Sequence, residues 1–322
     1  RFHSKAIQFP SSASSLPTPC SACLAESGDL SDMVHTILSV PDGYEGEITL
    51  HLNHPSPNIA FCNLLSLLAM GTLGELSCDM LIQLWYSVAM TREQILNLTE
   101  MLGKLRTSGG EVANGPYCAS LPKLPQVMLI VNIEHKDWFK MINEKSLQSS
   151  RHIVKCMEDR RKHLFSPQGK QYAVEMLTTL SPHQRVSWDN FVQLGMLLPL
   201  GALNAHHNVM NPFLFDVDHH WRPERQLDPL QCWSRAETIA AGEECRVPSN
   251  DIYGALFFLI RRKLSACIQK LSKQRFHIIV TCCEPSVLVH RLQQSKTAMH
   301  YISGVDATQL QYAHSDDQEL ST

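Results

Sequence analysis

The amino-acid sequence predicts the α/β fold class, with a Rossmann-like parallel sheet that is interrupted by a large helical insertion. Near the N-terminus, two short segments of strand type each lead through a tight turn into a segment with helical spacing. Near the C-terminus, a strand–helix–strand series closes the chain, and most residues in between fit helices. This order is typical of a parallel sheet, because parallel strands need a crossover connection, which is usually a helix.

The first strand–helix series follows soon after the N-terminus. Residues 21–25 fit a short strand, Ser27-Gly28-Asp29 fits a turn, and the apolar residues of 30–38 share one side of a helix. Residues 47–52 (EITLHL) alternate between apolar and polar side chains, which predicts a second strand. Residues 59–70 are apolar almost throughout, so we expect a helix that is buried on most sides.

The middle of the chain fits helices separated by loops. Residues 75–106 predict two helices, the second of which begins at a capping box of Thr91 and Gln94. Residues 108–125 are rich in Gly and Pro and are expected to be a loop, whereas residues 127–131 fit either a strand or the start of a helix. Further helices are predicted at 136–162, 171–180, 188–197, 251–271 and 286–293, an irregular segment at 205–235, and closing strands at 276–282 and 299–302.

These elements predict a single domain at residues 21–310, with the helical insertion around 75–270. Residues 1–20 are rich in Ser and Pro and are expected to be a disordered linker or tail. Residues 311–322 are polar and acidic, which predicts a disordered tail. The chain begins with Arg1 rather than Met, as a fragment of a longer protein does, and the sequence leaves open whether a signal peptide or a further domain precedes it.

Composition argues against several classes of function. With 28 basic and 31 acidic residues the formal net charge is −3, whereas a nucleic-acid partner requires a concentrated basic surface. The run Arg261-Arg262-Lys263 is more simply interpreted as a solvated helix face. The eleven cysteines follow no metal-ligand spacing, which indicates core thiols in a reducing compartment, the cytoplasm. No apolar run approaches the ~18 residues of a membrane span, so we expect no membrane partner.

Three separated motifs occur in an order that resembles a known family. LAESGDLSDMVHTI followed by GYEGEITLHLNHPSPNIAFCNLLSLLAM resembles domain of unknown function 4470, in which a Gly-Cys-Gly-Asp loop ends the first strand and an Asn-Asp-x-x-Pro turn follows the second. NPFLFDVDHHW…LDPLQCW is similar to the family's Asn-Pro-x-x-Phe and Asp-Pro-Leu stretch. FHIIVTCCEP…MHYISGVDATQL is similar to its closing strand–helix–strand. The resemblance runs from about residue 22 to residue 310.

The resemblance implies a methyltransferase-like core without a settled catalytic activity. The family includes an axonemal dynein assembly factor and proteins that carry MYND zinc fingers. It therefore implies a non-catalytic scaffold that acts through protein partners such as assembly or chaperone factors, with cytoplasmic preassembly of axonemal dynein as one process. The alternative is an S-adenosylmethionine-dependent methyltransferase of unknown substrate. A MYND finger preceding Arg1 would place the chain among the MYND-finger proteins and argue against a role in dynein assembly.

The candidate cofactor loop follows the first strand. In a working methyltransferase this turn carries Gly-x-Gly, which lets the backbone approach the cofactor at a helix N-terminus. Here Gly28 and Asp29 remain, but Glu26 replaces the first glycine. Asn53 replaces the acidic residue that normally ends the second strand and binds the ribose hydroxyls. Gly28, Asp29 and Asn53 are therefore the candidate S-adenosylmethionine-binding residues. The alternative, which needs no cofactor, is a tight turn in which Asp29 caps a helix.

The irregular segment at 205–235 supplies candidate lid residues and a weak metal motif. Asn211, Pro212, Asp228 and Pro229 match the family's motifs and are the lid candidates. The sequence DVDHH, with Asp216, Asp218, His219 and His220, has ligand types suited to zinc or iron, and His206-His207 lies nearby. Successive residues cannot all point at one ion, so we expect a hydrogen-bonded loop and no metal. Neither a GxSxG motif nor a Cys–His motif is present, so no catalytic residue is predicted.

Overall fold

The structure, a computed structural model, describes residues 5–109, 117–119, 121–133, 153–216, 218, 220–222, 228–294 and 299–303. The strands are β1 (Cys20–Leu24), β2 (Ile48–Asn53), β3 (Ala89–Met90), β4 (Tyr117–Ala119), β5 (Val127–Asn132), β6 (Val209–Met210), β7 (Phe276–Thr281) and β8 (Tyr301–Ser303). The helices are α1 (Leu30–Ser39), α2 (Pro57–Leu73), α3 (Cys78–Tyr86), α4 (Arg92–Gly109), α5 (Ile153–Leu164), α6 (Pro167–Thr179), α7 (Gln184–Leu194), α8 (Arg235–Glu244), α9 (Ile252–Lys273) and α10 (Pro285–Gln294).

The described residues form two compact units. The sheet unit takes residues 5–72, the described residues of 117–133, and 267–303, and it holds every named strand except β3 and β6. The helical unit takes residues 73–109 and 153–266, where β3 and β6 pair as a short antiparallel ribbon. The helical unit falls largely within the stretch expected to be an insertion. However, β4 and β5 come from the middle of that stretch and belong to the sheet.

The main sheet confirms the predicted α/β class. Its strand order is β4-β5-β7-β2-β1-β8, and all neighbours are parallel except β4 and β5. β1 is buried along its whole length, as parallel strands with covered faces usually are. The apolar residues of β2, β5 and β7 that are paired in register with Ala22 and Leu24 are also buried, and they form one side of the core.

The strand order differs from the common Rossmann order and locates a switch point. Counted along the chain, the parallel strands run third, fourth, second, first and fifth across the sheet. In the common order the fourth strand pairs with the first, but here β8 takes that place. From β1 the chain leads to β2 on one side, whereas β7 leads to β8 on the other. In such sheets ligands bind at the carboxyl ends of the strands at this switch, so the β1 and β8 ends are where a cofactor is expected.

The stretch Pro57–Tyr86, which contains α2 and α3, is long and apolar enough to cross a membrane by length and composition, since 18 consecutive residues within it have a mean hydropathy of 1.6. The expectation that no apolar run reaches that length was therefore wrong. Of these 18 residues, 78% are buried inside the protein, as in the core helix of a globular protein. α2 is apolar around its whole circumference because protein surrounds it on most sides, as predicted for residues 59–70.

Residues 5–9, here called the arm, correct the expectation of a disordered tail over residues 1–20. Ile7 and Phe9 are only 6% and 8% exposed, and their amides donate to side chains of α1. Leu16, further along the Ser/Pro-rich stretch, is 6% exposed. Composition suggested disorder, but three apolar side chains spaced along the segment hold it to the sheet unit. The acidic tail at 311–322 lies outside the described residues.

Several helix and loop boundaries differ from the sequence expectations for local reasons. The capping box of Thr91 and Gln94 is confirmed by reciprocal hydrogen bonds of 2.9 and 3.2 Å. α7 ends at Leu194 rather than 197, because Gly195 adopts a left-handed conformation that terminates the helix. Residues 127–131 belong to strand β5, and the expected loop at 108–125 contains β4. Of the helix predicted at 136–162, only the part from residue 153 lies within the described residues.

The basic run on α9 is confirmed as a solvated helix face. Arg261 pairs with Asp79 at 3.1 Å, Lys263 pairs with Glu237 at 2.6 Å, and Arg262 pairs with Glu244. Exposed pairs of this kind contribute about 0–1 kcal/mol each. The run is thus neutralised by acidic partners and offers no concentrated basic surface. All eleven cysteines are free thiols.

Candidate functional site

The loop between β1 and α1 lies at the switch point, and its polar groups are bonded within the chain. The Asp29 carboxylate accepts a hydrogen bond from the amide of Ser31 at 2.8 Å, which makes Asp29 the N-cap of α1. The Asp32 carboxylate accepts from the amides of Gly28 and Asp29 at 3.1 and 3.3 Å, completing a capping box. The amides that would bind an anionic part of a cofactor therefore donate to the chain's own carboxylates.

Gly28 has no backbone requirement for glycine. It is absent from the described residues with positive φ, and a Cβ added to it would meet nothing closer than 3.9 Å. One of the two atoms at that distance is Nε2 of His54. Because Nδ1 of His54 accepts a hydrogen bond from the amide of Ser56 at 3.0 Å, the neutral imidazole carries its proton on Nε2. The space beside Gly28 is therefore bordered by a hydrogen-bond donor.

Glu26, which replaces the first glycine of the cofactor pattern, forms an ion pair with Lys5 of the arm. The two side chains are 36% and 42% exposed, so the charge of Glu26 is balanced at the surface. Lys5 also bonds to both sides of the switch point. Its amide donates to the Asp32 carboxylate at 2.7 Å, and its carbonyl accepts from the Ser303 hydroxyl at 2.6 Å. The arm thus lies at the position where the switch point would admit a ligand.

Asn53 is fully buried at the end of β2, where its side chain links the ends of three strands. Its Nδ2 donates to the carbonyls of Ala25 and Cys283 at 2.7 and 2.9 Å. Its Oδ1 accepts from the Thr281 hydroxyl at 2.8 Å and from the Cys283 amide at 3.1 Å. An amide group has two donor hydrogens and two acceptor lone pairs, and all are used. Asn53 therefore has no hydrogen-bonding capacity left for ribose hydroxyls.

Other residues that build this loop were not identified from the sequence. Asn63 of α2 donates from Nδ2 to the carbonyl of Ser27 at 3.1 Å, and Thr281 and Cys283 hold Asn53. The last two are separated from Asn53 by 228 and 230 positions, so no local signal links them. Asp32 was within reach of sequence reasoning, because an acidic residue three positions after an N-cap is the capping-box signature.

The lid candidates Asn211 and Pro212 lie in the interior of the helical unit. Asn211 is fully buried, and its Nδ2 donates to the carbonyls of Gln83, Leu84 and Ser87 at 2.9–3.0 Å. These are carbonyls of the last turn of α3, so Asn211 binds the end of that helix. Pro212 is buried in the turn that follows. Both residues fasten the segment after β6 rather than offering groups to a ligand.

The lid candidate Asp228 lies at the centre of a buried polar cluster. Its carboxylate accepts hydrogen bonds from the hydroxyls of Tyr172 and Tyr253 and, at 2.8 Å, from the amide of Leu230. It is 1% exposed, and Pro229 follows as the first residue of a short 3-10 helix. The Arg160 guanidinium, itself 2% exposed, lies 4.5 Å from the Phe191 ring centroid and interacts electrostatically with Asp228.

Burial governs the ionisation of this cluster. Desolvation raises the pKa of Asp228, while the two tyrosine hydroxyls and the charge of Arg160 act in the opposite direction. Desolvation, reinforced by the nearby carboxylate, raises the pKa of Tyr172 and of Tyr253 well above the usual value. The tyrosines are therefore neutral donors, and Arg160 supplies the positive charge opposite Asp228. No motif predicted this arrangement, since its members come from α5, α6, α9 and an irregular segment.

Asp216, Asp218 and His220 converge more closely than expected. Their ligand atoms all lie within 4.8 Å of one another, so alternate residues of DVDHH can face a common point. The sequence argument concerned successive residues, whereas these three alternate along the chain, so the expectation that no metal binds here stays a prediction. The three converge because of a turn in which Oδ1 of Asp216 accepts the amides of Asp218 and His220 at 3.0 and 2.8 Å. The trio is largely exposed, and His219 lies outside the described residues.

Residues 3–90 match the model of a family described as a domain of unknown function, DUF4470. The match covers the arm and the elements from β1 to β3, and it confirms the family resemblance for this part of the chain. No curated protein and no solved structure gave a significant match.

Proposed function

We propose that this chain, which carries the DUF4470 domain over residues 3–90, is a non-catalytic, methyltransferase-like scaffold that acts through protein partners. One observation carries the proposal: the groups that would hold a cofactor are bonded within the chain. Asn53, at the end of β2, uses its whole amide group on residues at the ends of β1 and β7. The amides of Gly28 and Asp29 donate to Asp32.

A cofactor at this loop would have to break buried hydrogen bonds before forming its own. Each buried polar group left without its partner costs about 1–3 kcal/mol. The carboxylates of Asp29 and Asp32 would also face the carboxylate of S-adenosylmethionine at short range. Like charges in a partly buried site repel, so the helix N-terminus loses its attraction for an anion. The same features stabilise the loop without a ligand.

Isothermal titration of the whole chain with S-adenosylmethionine and with its demethylated product tests this proposal. The scaffold assignment predicts no saturable heat with either compound, for the natural chain and for Gly28→Arg alike. Micromolar binding that disappears in Gly28→Arg would overturn it, because only a ligand in the loop should respond to a side chain at that position.

An S-adenosylmethionine-dependent methyltransferase of unknown substrate is the second candidate, and the space beside Gly28 favours it. A glycine without a backbone requirement, with room for another atom beside it, is consistent with a ligand that approaches the backbone closely. In this alternative Gly28, Asp29 and Asn53 line the cofactor site, and Asn211, Pro212, Asp228 and Pro229 belong to a lid. It requires both saturable binding and transfer of a labelled methyl group to a protein in a cell extract.

The family resemblance suggests a more specific role in cytoplasmic preassembly of axonemal dynein, together with assembly or chaperone factors. Affinity purification of the tagged chain from ciliated cells tests it, with the same tag on an unrelated protein as the control. The proposal expects axonemal dynein chains among the recovered proteins. Their absence counts against the dynein role, and a MYND finger encoded ahead of residue 1 would also direct the assignment elsewhere.

A further inference from the structure

The arm lies between α1 and β8, and its residues 5, 7 and 9 all face α1, as alternate residues of an extended chain do. Its main-chain amides at Lys5, Ile7 and Phe9 donate to the side chains of Asp32, Thr36 and Ser39 at 2.7, 2.9 and 3.4 Å. Its carbonyls accept as well. The Ser303 hydroxyl donates to Lys5 at 2.6 Å, and the Ser39 hydroxyl donates to Ile7 at 2.8 Å. Most of these bonds recognise main-chain groups rather than particular side chains.

The spacing of these bonds follows from the geometry of an extended chain beside a helix. Every second residue of an extended chain advances by about 6.6 Å. Positions four apart on an α-helix advance by about 6 Å, and positions three apart by about 4.5 Å. From position 32 to position 39 the helix therefore advances by about 10.5 Å, while the arm advances by about 13 Å from position 5 to position 9, and the bond at Phe9 is the longest of the three. We call the surface formed by Asp32, Thr36, Ser39, Tyr301 and Ser303 the α1–β8 groove.

Side chains add sequence preference to this main-chain recognition. Ile7 and Phe9 point into the protein, and the Phe9 ring packs edge-on against Tyr301 with centroids 5.0 Å apart. Gln8, between them, is exposed. The Lys5 ammonium pairs with Glu26 at the end of the groove. The groove thus matches a basic residue followed by an aliphatic side chain two positions later and an aromatic one four positions later.

We propose that the α1–β8 groove is a peptide-binding site that takes an extended segment of a partner protein with this basic–x–aliphatic–x–aromatic pattern, and that the arm occupies it in the unbound chain. Main-chain bonds with pockets for alternate side chains are a recurring way to bind extended peptides. The acidic Glu26 and Asp32 complement a basic segment. This inference rests on the proposed scaffold function and assigns that function a surface.

Fluorescence anisotropy with a labelled peptide of residues 1–12 (RFHSKAIQFPSS) tests the inference on the whole chain. The variant Ile7→Asp/Phe9→Asp should release the arm and bind the peptide with micromolar affinity. The natural chain should bind it at least about tenfold more weakly, because the arm occupies the groove most of the time and apparent affinity falls with the open fraction. A peptide with the same two Asp substitutions is the matched control and should not bind.

A charge exchange makes the site assignment specific. When Glu26→Lys is added to the variant Ile7→Asp/Phe9→Asp, it should weaken binding of the natural peptide by about fivefold or more. The same change should restore binding of a peptide that carries Lys5→Glu. If the double arm variant does not fold, as judged by far-UV circular dichroism, the single variant Lys5→Glu replaces it, since this change weakens the arm at an exposed ion pair only.

The outcomes separate this inference from the scaffold proposal. Failure of the peptide to bind any folded, arm-weakened variant overturns the groove but leaves partner recovery from cells unaffected. Binding that is insensitive to Glu26→Lys also overturns it. Concentration-dependent dimers that vanish in the double arm variant would identify a second copy of this chain as the occupant, which overturns the assignment to a partner protein.

Discussion

The carboxyl edge of the sheet unit and the centre of the helical unit both bury polar side chains, but they satisfy them in different ways. At the sheet edge, Asn53 bonds to backbone groups and to a hydroxyl, so the buried site is neutral. In the helical unit, Asp228 is held by two tyrosine hydroxyls and by the charge of Arg160. Breaking the first arrangement leaves unpaired dipoles, whereas breaking the second leaves a buried charge, which costs more.

The largest expected effect is that of Asp228→Ala. It removes the negative charge opposite Arg160 and the acceptor of two tyrosine hydroxyls, so we expect a loss of about 3–5 kcal/mol in the free energy of unfolding of the helical unit. Urea unfolding followed by tryptophan fluorescence measures it, because Trp85, Trp188, Trp221 and Trp233 all lie in that unit. The exposed Asp218→Ala is the control. A loss below about 1 kcal/mol in Asp228→Ala would contradict the idea that breaking the charged cluster of the helical unit costs more than breaking the neutral site of the sheet unit.

The second effect is that of Asn53→Ala, for which we expect a loss of about 3 kcal/mol because several buried backbone groups lose their partner. Asn132→Ala is a matched control, since Asn132 is paired in register with Thr281, as Asn53 is, but is exposed. Urea unfolding followed by far-UV circular dichroism measures the loss in both variants. Asn53→Asp should destabilise as well, since its carboxylate would face the carbonyls of Ala25 and Cys283. A stable Asn53→Asp that gains S-adenosylmethionine binding would contradict the scaffold proposal.

A third effect depends on pH and is due to His51 of β2. This ring is 6% exposed, neither ring nitrogen has a hydrogen-bond partner among the described residues, and burial lowers its pKa to about 4. The unfolded chain binds a proton near pH 6.5 and the folded chain only near pH 4, so stability is lost as the pH falls through this window. The loss is at most about 3–4 kcal/mol, since each pKa unit corresponds to about 1.36 kcal/mol.

Unfolding measured at several pH values in His51→Leu tests this effect. The variant should lose the His51 contribution to the pH slope, whereas the exposed His206→Ala should keep it. An unchanged slope in His51→Leu would assign the acid sensitivity to other groups, such as the carboxylates of the loop.

The smallest effect is expected for Gly28→Ala. The position has ordinary φ and room for a Cβ, so the variant should be within about 1 kcal/mol of the natural chain, on the stable side. Gly195→Ala is the contrasting control. Gly195 has a φ of 64°, and its Cβ would approach Val88 within 2.5 Å, so that variant should lose more than about 1 kcal/mol. A large loss in Gly28→Ala would show that the loop is tighter than described.

Local rules predicted the elements whose cause is local. The capping residues Asp29 and Thr91 lie beside the amides that they bond, and the all-round apolar character of residues 59–70 directly reflects burial. Local rules failed for the arm, because the Ser/Pro-rich composition of residues 1–20 did not indicate that Ile7 and Phe9 would be buried. They also failed for β4, whose strand character depends on pairing with β5 rather than on its own three residues.

The sequence by itself determined the α/β class, the similarity of residues 3–90 to the DUF4470 family and the identity of the loop that ends in Gly28 and Asp29. Only the tertiary structure decided what Asn53 and Asp228 do. From the sequence Asn53 was a cofactor-binding candidate and Asp228 a lid candidate, because an amide or a carboxylate can bond either to a ligand or to the chain. The choice depends on which groups the fold brings within 3 Å. Here those groups come from residues as far away as Cys283, whose distance in sequence hides them from any local pattern.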